Sequence, residues 1–160
     1  MLDRAIERDV ASAVDELCGE IVGAVSELVA IPSVAPLRFA DVAQPGGHAG
    51  VVAHAPSPAG CEQQAAQYLQ ELMEDSGLST ELLEVEQGRP NVVGRMVGAS
   101  AGRSLMFVGH LDVVPAGPPD RWTVGDPWSA TEVGGRLYGR GTAGMKRGRC
   151  RCDLRMPGAS

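Results

Sequence analysis

Residues 105–115 read Leu105-Met106-Phe107-Val108-Gly109-His110-Leu111-Asp112-Val113-Val114-Pro115, and both the predicted fold and the candidate site depend on them. Its first four residues are apolar without alternation, which is typical of a central strand that is covered on both faces. Polar side chains follow where this strand ends, and α/β proteins place their sites at the carboxyl ends of strands. We therefore predict a central strand over Ser104–Val108 and a candidate site directly after it.

Two helices are predicted before this strand. From Val10 onward, apolar residues recur at three- and four-residue intervals, which is the helical period. This first helix should end near Ile31, because Pro32 removes a backbone donor. A second helix is predicted from about residue 62 to residue 76, with Gly77 placed to end it.

The remaining elements predict an α/β fold. Strands are predicted over Glu81–Val85 and Asn91–Val97, and a hairpin over residues 131–138 turns at Gly134-Gly135. Helices before and among strands favour a mixed sheet between helical layers. Residues 35–60 are rich in Ala, Gly and Pro and predict an unusually long loop.

Composition limits the class of protein. The 160 residues are 44% hydrophobic and 21% charged, which fits one globular domain. No apolar run approaches the roughly 20 residues that span a bilayer. The amphipathic start does not resemble a signal peptide, and the four cysteines are spaced too unevenly for a disulfide framework. We therefore expect a cytoplasmic protein with no membrane partner.

The charge is distributed unevenly. Five basic residues and one acidic residue give the last fifteen positions a net +4, so the formal charge of −6 leaves −10 on residues 1–145. An acidic body argues against nucleic acid as a partner. Binding of nucleic acid through the tail remains an alternative, and it would require an affinity that depends on salt and is lost without residues 147–160.

His110 and Asp112 form the candidate site. Residues two apart on an extended chain point to the same side, so these side chains can share one pocket. A carboxylate commonly orients a metal-binding imidazole. His-x-Asp taken alone is common by chance, and on this pattern a structural role is favoured over a metal ligand.

Neighbouring motifs change this assessment. Residues 109–117 read Gly-His-Leu-Asp-Val-Val-Pro-Ala-Gly, and they are followed by Arg121-Trp122, Asp126-Pro127-Trp128, Arg136–Thr142 and Met145-Lys146. Together with Glu27–Val34 and Arg89–Gly94, these motifs resemble the M20 metallopeptidases, a family that includes acetylornithine deacetylase, succinyl-diaminopimelate desuccinylase and carboxypeptidase G. The resemblance covers most of residues 10–146, without the 35–60 loop.

The resemblance implies both a fold and an activity. Residues 1–146 would be the N-terminal part of a three-layer α/β/α zinc-peptidase-like catalytic domain, with a basic tail over residues 147–160. The implied function is metal-dependent hydrolysis of an amide or peptide bond in N-acyl amino acids or small peptides. Two metal ions, usually zinc with cobalt or manganese as alternatives, would activate the attacking water. Stable binding of these ions by this chain alone is not expected. Carried over by motif, His110 would bind one metal ion, and Asp112 would be a catalytic residue that orients the imidazole.

Other ligands of the implied site are missing from the sequence. The family's bridging Asp stands immediately before Met-Lys, and here that position is Gly144. The resemblance also implies a glutamate pair and further ligands, which would lie beyond residue 160. Because catalytic zinc typically keeps three protein ligands, we expect the chain alone to lack hydrolase activity.

The tail suggests an explanation for these missing ligands. All codons of Arg147-Gly148-Arg149-Cys150-Arg151-Cys152 carry G in the second position, so a one-nucleotide shift would encode only Val, Ala, Asp, Glu or Gly. We interpret this as a frameshift near Lys146, with an Asp-to-Gly change at 144. Cys150-Arg151-Cys152 is then no metal site, and His48 and His54 are expected to be solvated. The alternative function is a non-catalytic fragment that acts at most as a binding protein.

Overall fold

The computed structural model describes residues 4–35, 61–98 and 102–148, and of residues 147 and 148 it describes the backbone alone. The chain divides into two compact units. One consists of Met1–Ala30 with Trp122–Ser160, and the other of Ile31–Arg121. The predicted loop lies outside the described residues except at residue 35, as do His48, His54, Cys150 and nearly all of the predicted tail.

Two consecutive helices begin the first unit. Helix α1 spans Arg4–Glu16 and helix α2 spans Cys18–Ala30. Helical hydrogen bonding continues across Leu17, whose N–H donates to Ala13 (3.2 Å) and whose carbonyl accepts from Ile21 (2.9 Å). The first predicted helix is therefore confirmed, although it begins earlier than expected. Burial starts only in α2, at Ala24, Val25, Leu28 and Val29.

A hairpin follows in the same unit. Strand β3 (Thr131–Val133) pairs antiparallel with β4 (Arg136–Tyr138). Gly134 and Gly135 connect the two strands, with φ of 57° and 70°. A two-residue hairpin turn of this kind requires a left-handed conformation at both central residues. The predicted hairpin is confirmed. The short helix α4 (Met145–Gly148) ends the described chain.

Gly139 allows the chain after β4 to approach α2. A Cβ at this position would lie 2.6 Å from Val29 Cγ1 and 3.3 Å from the Pro127 carbonyl oxygen. Val29 is fully buried. A side chain at 139 would therefore collide with the core of this unit.

The described part of the second unit contains a helix packed on an antiparallel strand pair. Helix α3 (Cys61–Asp75) is followed by Gly77, whose φ of 83° is a left-handed conformation that favours glycine. Strand β1 (Ser79–Glu86) then pairs with β2 (Arg89–Arg95). Glu62 on α3 and Arg89 on β2 form an ion pair at 2.5 Å. These elements confirm the second predicted helix and the two strands that follow it. A 3₁₀ turn at Pro119–Arg121 ends the unit.

The predicted central strand is wrong. Residues 104–108 form no strand, and the side chains of Leu105, Met106, Phe107 and Val108 are 74–81% exposed. A central strand needs a hydrogen-bonded neighbour on each side and a layer over each face, and no described element supplies these to the segment. The described strands form two separate antiparallel pairs rather than one mixed sheet. Together with the helices, these pairs fit a partial α/β domain.

None of the helices in the described residues is long and apolar enough to cross a bilayer.

Candidate functional site

The candidate site lies in the second unit, where His110 and Asp112 contact each other. His110 Nδ1 is 3.0 Å from the Asp112 carboxylate oxygen Oδ1 and 3.0 Å from the Asp112 backbone oxygen. The His110 side chain is 61% exposed and that of Asp112 is 35% exposed. The side chains that the sequence predicted to share a pocket are thus brought together, at a surface that solvent and a metal ion can reach.

This geometry determines the tautomer of a neutral His110 ring. Both oxygens that face Nδ1 are acceptors, so Nδ1 carries the proton and donates it. Nε2 then has its lone pair available, which is the form in which imidazole binds a metal ion. The pair therefore presents one oriented nitrogen ligand.

Residues 33–35 hold the backbone around Asp112. The Ser33 hydroxyl donates to the Leu111 carbonyl at 2.7 Å. The Val113 N–H donates to the Ser33 carbonyl at 2.9 Å, and the Ala35 N–H donates to the Val113 carbonyl at 3.0 Å. Val34 and Val113 form a parallel bridge. The site segment is thus fixed by a stretch about 78 residues earlier in the chain.

The donor set does not complete a zinc site. Among residues 4–35, 61–98 and 102–148, no group of three or more His, Cys, Asp or Glu side chains could hold a metal ion. Zinc typically takes three or four protein ligands. His110 fits one ligand position with Asp112 as its orienting partner, and the other positions are not filled by residues that the structure describes.

Gly144 is exposed and has room for a side chain. A Cβ at this position would meet only the Gly141 carbonyl oxygen, at 3.6 Å, which is ordinary van der Waals contact. The backbone around residue 144 therefore accommodates the Asp that the motif implies. This observation concerns space in the first unit alone.

Two cationic side chains of the first unit have packing roles. The Arg140 guanidinium lies 5.2 Å from the centroid of the Trp122 ring. Burial lowers the pKa of Arg140 from its ordinary value. Lys146 is 2% exposed, and its Nζ donates to the Leu28 carbonyl at 2.7 Å. Trp122 thus packs against Arg140 within the first unit.

Sequence reasoning missed Ser33 and Lys146. Both stood within motifs that carried the resemblance, Glu27–Val34 and Met145-Lys146, but their partners are 78 and 118 residues away. A signal was present in the composition, because Lys146 is the only lysine in the sequence. Spacing patterns cannot identify contacts at such separations.

Comparisons with known proteins match the segment that carries the site. The model of peptidase family M20/M25/M40 matches residues 106–149. A probable succinyl-diaminopimelate desuccinylase of Staphylococcus aureus (strain Mu50 / ATCC 700699) is 42% identical over 81 residues, which are 51% of this chain and 20% of that protein. The succinyl-diaminopimelate desuccinylase of Rickettsia bellii (strain OSU 85-389) is 37% identical over 82 residues, 51% of this chain and 21% of that protein.

A third relative extends the match slightly. The succinyl-diaminopimelate desuccinylase of Pseudoalteromonas atlantica (strain T6c / ATCC BAA-1087) is 42% identical over 91 residues, 57% of this chain and 22% of that protein. The chain thus spans about a fifth of the length of the curated relatives it matches. Over the segment that these comparisons cover, the chain is similar to members of peptidase family M20/M25/M40.

Proposed function

We propose that this chain carries one metal-ligating histidine, His110, of a metal-dependent amide hydrolase, and that the 160-residue chain is inactive by itself. The observation that carries the proposal is the contact between His110 and Asp112. Nδ1 faces two acceptor oxygens at 3.0 Å, which leaves Nε2 free to bind a metal ion. Asp112 holds the ring in this tautomer and orientation.

The reaction class comes from the family. A metal ion bound at such a site lowers the pKa of a coordinated water and polarises the carbonyl to be attacked. Substrates of the N-acyl amino acid or small-peptide class are proposed, because three matched relatives carry the name succinyl-diaminopimelate desuccinylase. Zinc is proposed as the metal, and a cytoplasmic location remains part of this proposal.

The fold of the whole domain belongs to the same proposal. A three-layer α/β/α arrangement would cover Leu105–Val108, which are exposed here. Residues 1–146 would then be the part of that domain present in this chain, with residues 147–160 as a basic extension.

The proposed inactivity is supported by residues 4–35, 61–98 and 102–148, among which no group of three or more His, Cys, Asp or Glu side chains could hold a metal ion. One imidazole does not hold a catalytic zinc ion, and Gly144 stands where the family motif has an aspartate. The non-catalytic alternative and this proposal agree on the lack of turnover. They differ on metal, because the proposal requires that Zn²⁺ bind at His110.

The test combines a binding and an activity measurement on the 160-residue chain. A Zn²⁺ titration followed by NMR should shift the imidazole resonances of His110, assigned by comparison with His110→Gln. Hydrolysis of N-succinyl and N-acetyl amino acids in the presence of Zn²⁺ should stay at the level of that variant. An unshifted His110 resonance refutes the ligand role, and turnover that His110→Gln abolishes refutes the inactivity.

A further inference from the structure

Ser33 contacts the backbone on both sides of Asp112. Ser33 is 0% exposed. Among the described residues of the second unit, no other polar residue is buried. Its hydroxyl donates to the Leu111 carbonyl at 2.7 Å, and its own carbonyl accepts from the Val113 N–H at 2.9 Å. One residue therefore holds both peptide groups that flank the Asp112 Cα.

The second of these bonds orients an acceptor toward the imidazole. A trans peptide group is planar, with its N–H and C=O pointing in opposite directions. The Val113 N–H points to Ser33, so the Asp112 carbonyl in the same peptide group points away from Ser33. That carbonyl oxygen is 3.0 Å from His110 Nδ1. The position of Ser33 is therefore coupled to that of the His110 ring through the rigid peptide group between Asp112 and Val113.

The first bond fixes the other side of Asp112. The Leu111 carbonyl and the Asp112 N–H share a peptide group, and the Ser33 hydroxyl holds that carbonyl. With both flanking peptide groups held, the Asp112 backbone has little freedom to rotate, and its carboxylate stays within 3.0 Å of Nδ1. The Pro32 ring also limits the backbone before Ser33.

We infer that Ser33 is a positioning residue for the proposed metal ligand. Its hydroxyl and carbonyl together place the two oxygens of Asp112 that keep the His110 ring in the Nδ1–H tautomer with Nε2 available. This inference rests on the proposed function for its connection to metal, whereas the effect on the tautomer does not require metal. A serine that only filled a buried space would affect stability and leave the ring unchanged.

The experiment measures the tautomer of His110 in the metal-free 160-residue chain, from imidazole ¹⁵N shifts at mildly alkaline pH. Wild type should be mainly in the Nδ1–H form. Ser33→Ala should raise the ratio of Nε2–H to Nδ1–H about threefold and weaken Zn²⁺ binding at His110 several-fold, which is less than the 10- to 100-fold typical of losing a ligand's direct partner. Ser33→Cys keeps the shape with a weaker donor and should fall between the two.

Ser26→Ala is the matched control. The Ser26 hydroxyl also donates to a backbone carbonyl, that of Val22, at 2.9 Å, and it is part-buried in α2. It should leave the His110 tautomer unchanged. If Ser33→Ala does not fold, Ser33→Cys decides the question.

The outcomes separate the two proposals. A wild-type tautomer in a folded Ser33→Ala or Ser33→Cys chain overturns the role of Ser33, even if Zn²⁺ binds normally. A shifted tautomer in a chain whose His110 does not respond to Zn²⁺ keeps the positioning role and refutes the metal ligand. A tautomer change of equal size in Ser26→Ala also overturns the inference, because the effect would then not be specific to Ser33.

Discussion

The Lys146 ammonium donates a 2.7 Å hydrogen bond to the carbonyl oxygen of Leu28, 118 residues earlier in the chain. Leu28 lies in the last turn of α2, where carbonyl groups lack helical partners and the helix dipole favours a positive charge. Because Lys146 is 2% exposed, this contact is shielded from water. The motif that carries Lys146 is thereby held against the first predicted helix.

Lys146→Met should lower the free energy of unfolding by about 1–3 kcal/mol, because it leaves a buried carbonyl without this donor. Urea unfolding measures the change, and Arg136→Met, at an exposed position in β4, is the control. The sequence offers a second readout, since Lys146 is the only lysine. The Lys146 amine should resist acylation in the folded chain and react in urea. Rapid acylation of Lys146 itself in the native chain, as distinct from the α-amino group, would contradict the contact.

Asp112→Ala should weaken Zn²⁺ binding at His110 by about tenfold. The substitution removes the carboxylate oxygen 3.0 Å from Nδ1, while the backbone oxygen that is hydrogen-bonded to Nδ1 remains, so the loss should lie at the low end of the usual range. Asp112→Asn keeps an acceptor oxygen and should lose less. NMR titration with Zn²⁺ measures both. Asp120→Ala, at an exposed position of the same unit, should bind as wild type does, and an equal loss there would argue against a specific role for Asp112.

Local signals predicted most of the elements. The spacing of apolar residues at intervals of three and four predicted α2 and α3. Gly77, with φ of 83°, follows the end of α3, and Gly134-Gly135 forms the turn of the hairpin. Each of these depends on hydrogen bonds between residues close in sequence, so a short window holds the information. The contact between His110 and Asp112 could be predicted for the same reason.

Non-local features could not be predicted. The apolar run Leu105–Val108 indicated a buried strand, but burial needs partners from elsewhere, and no described element covers it. Ser33 and Lys146 act through partners 78 and 118 residues away. The ligand role of His110 stays a prediction, because composition and spacing identify one ring and not the full set of ligands.

Phe107→Lys should reduce self-association of the chain. Four consecutive apolar side chains at 74–81% exposure form a surface that binds other apolar surfaces. Since Phe107 is 77% exposed, its replacement should change the free energy of unfolding by less than about 0.5 kcal/mol. Light scattering at increasing concentration and the fluorescence of a bound apolar dye measure the effect. Val133→Lys, at a 52% exposed position of β3, should change neither; unchanged association of Phe107→Lys would show that this segment is not the contact.

Gly139→Ala should destabilise the first unit by about 1–3 kcal/mol, because the added methyl group would overlap Val29 Cγ1 in a packed core. Gly23→Ala provides the opposite expectation in the same unit. Gly23 is exposed within α2, and a Cβ there meets nothing within 4 Å, so alanine should stabilise by about 0.5–1 kcal/mol through helix propensity. The urea midpoints of unfolding compare the two variants. If Gly139→Ala does not change the free energy of unfolding, the chain after β4 lies farther from α2 than described.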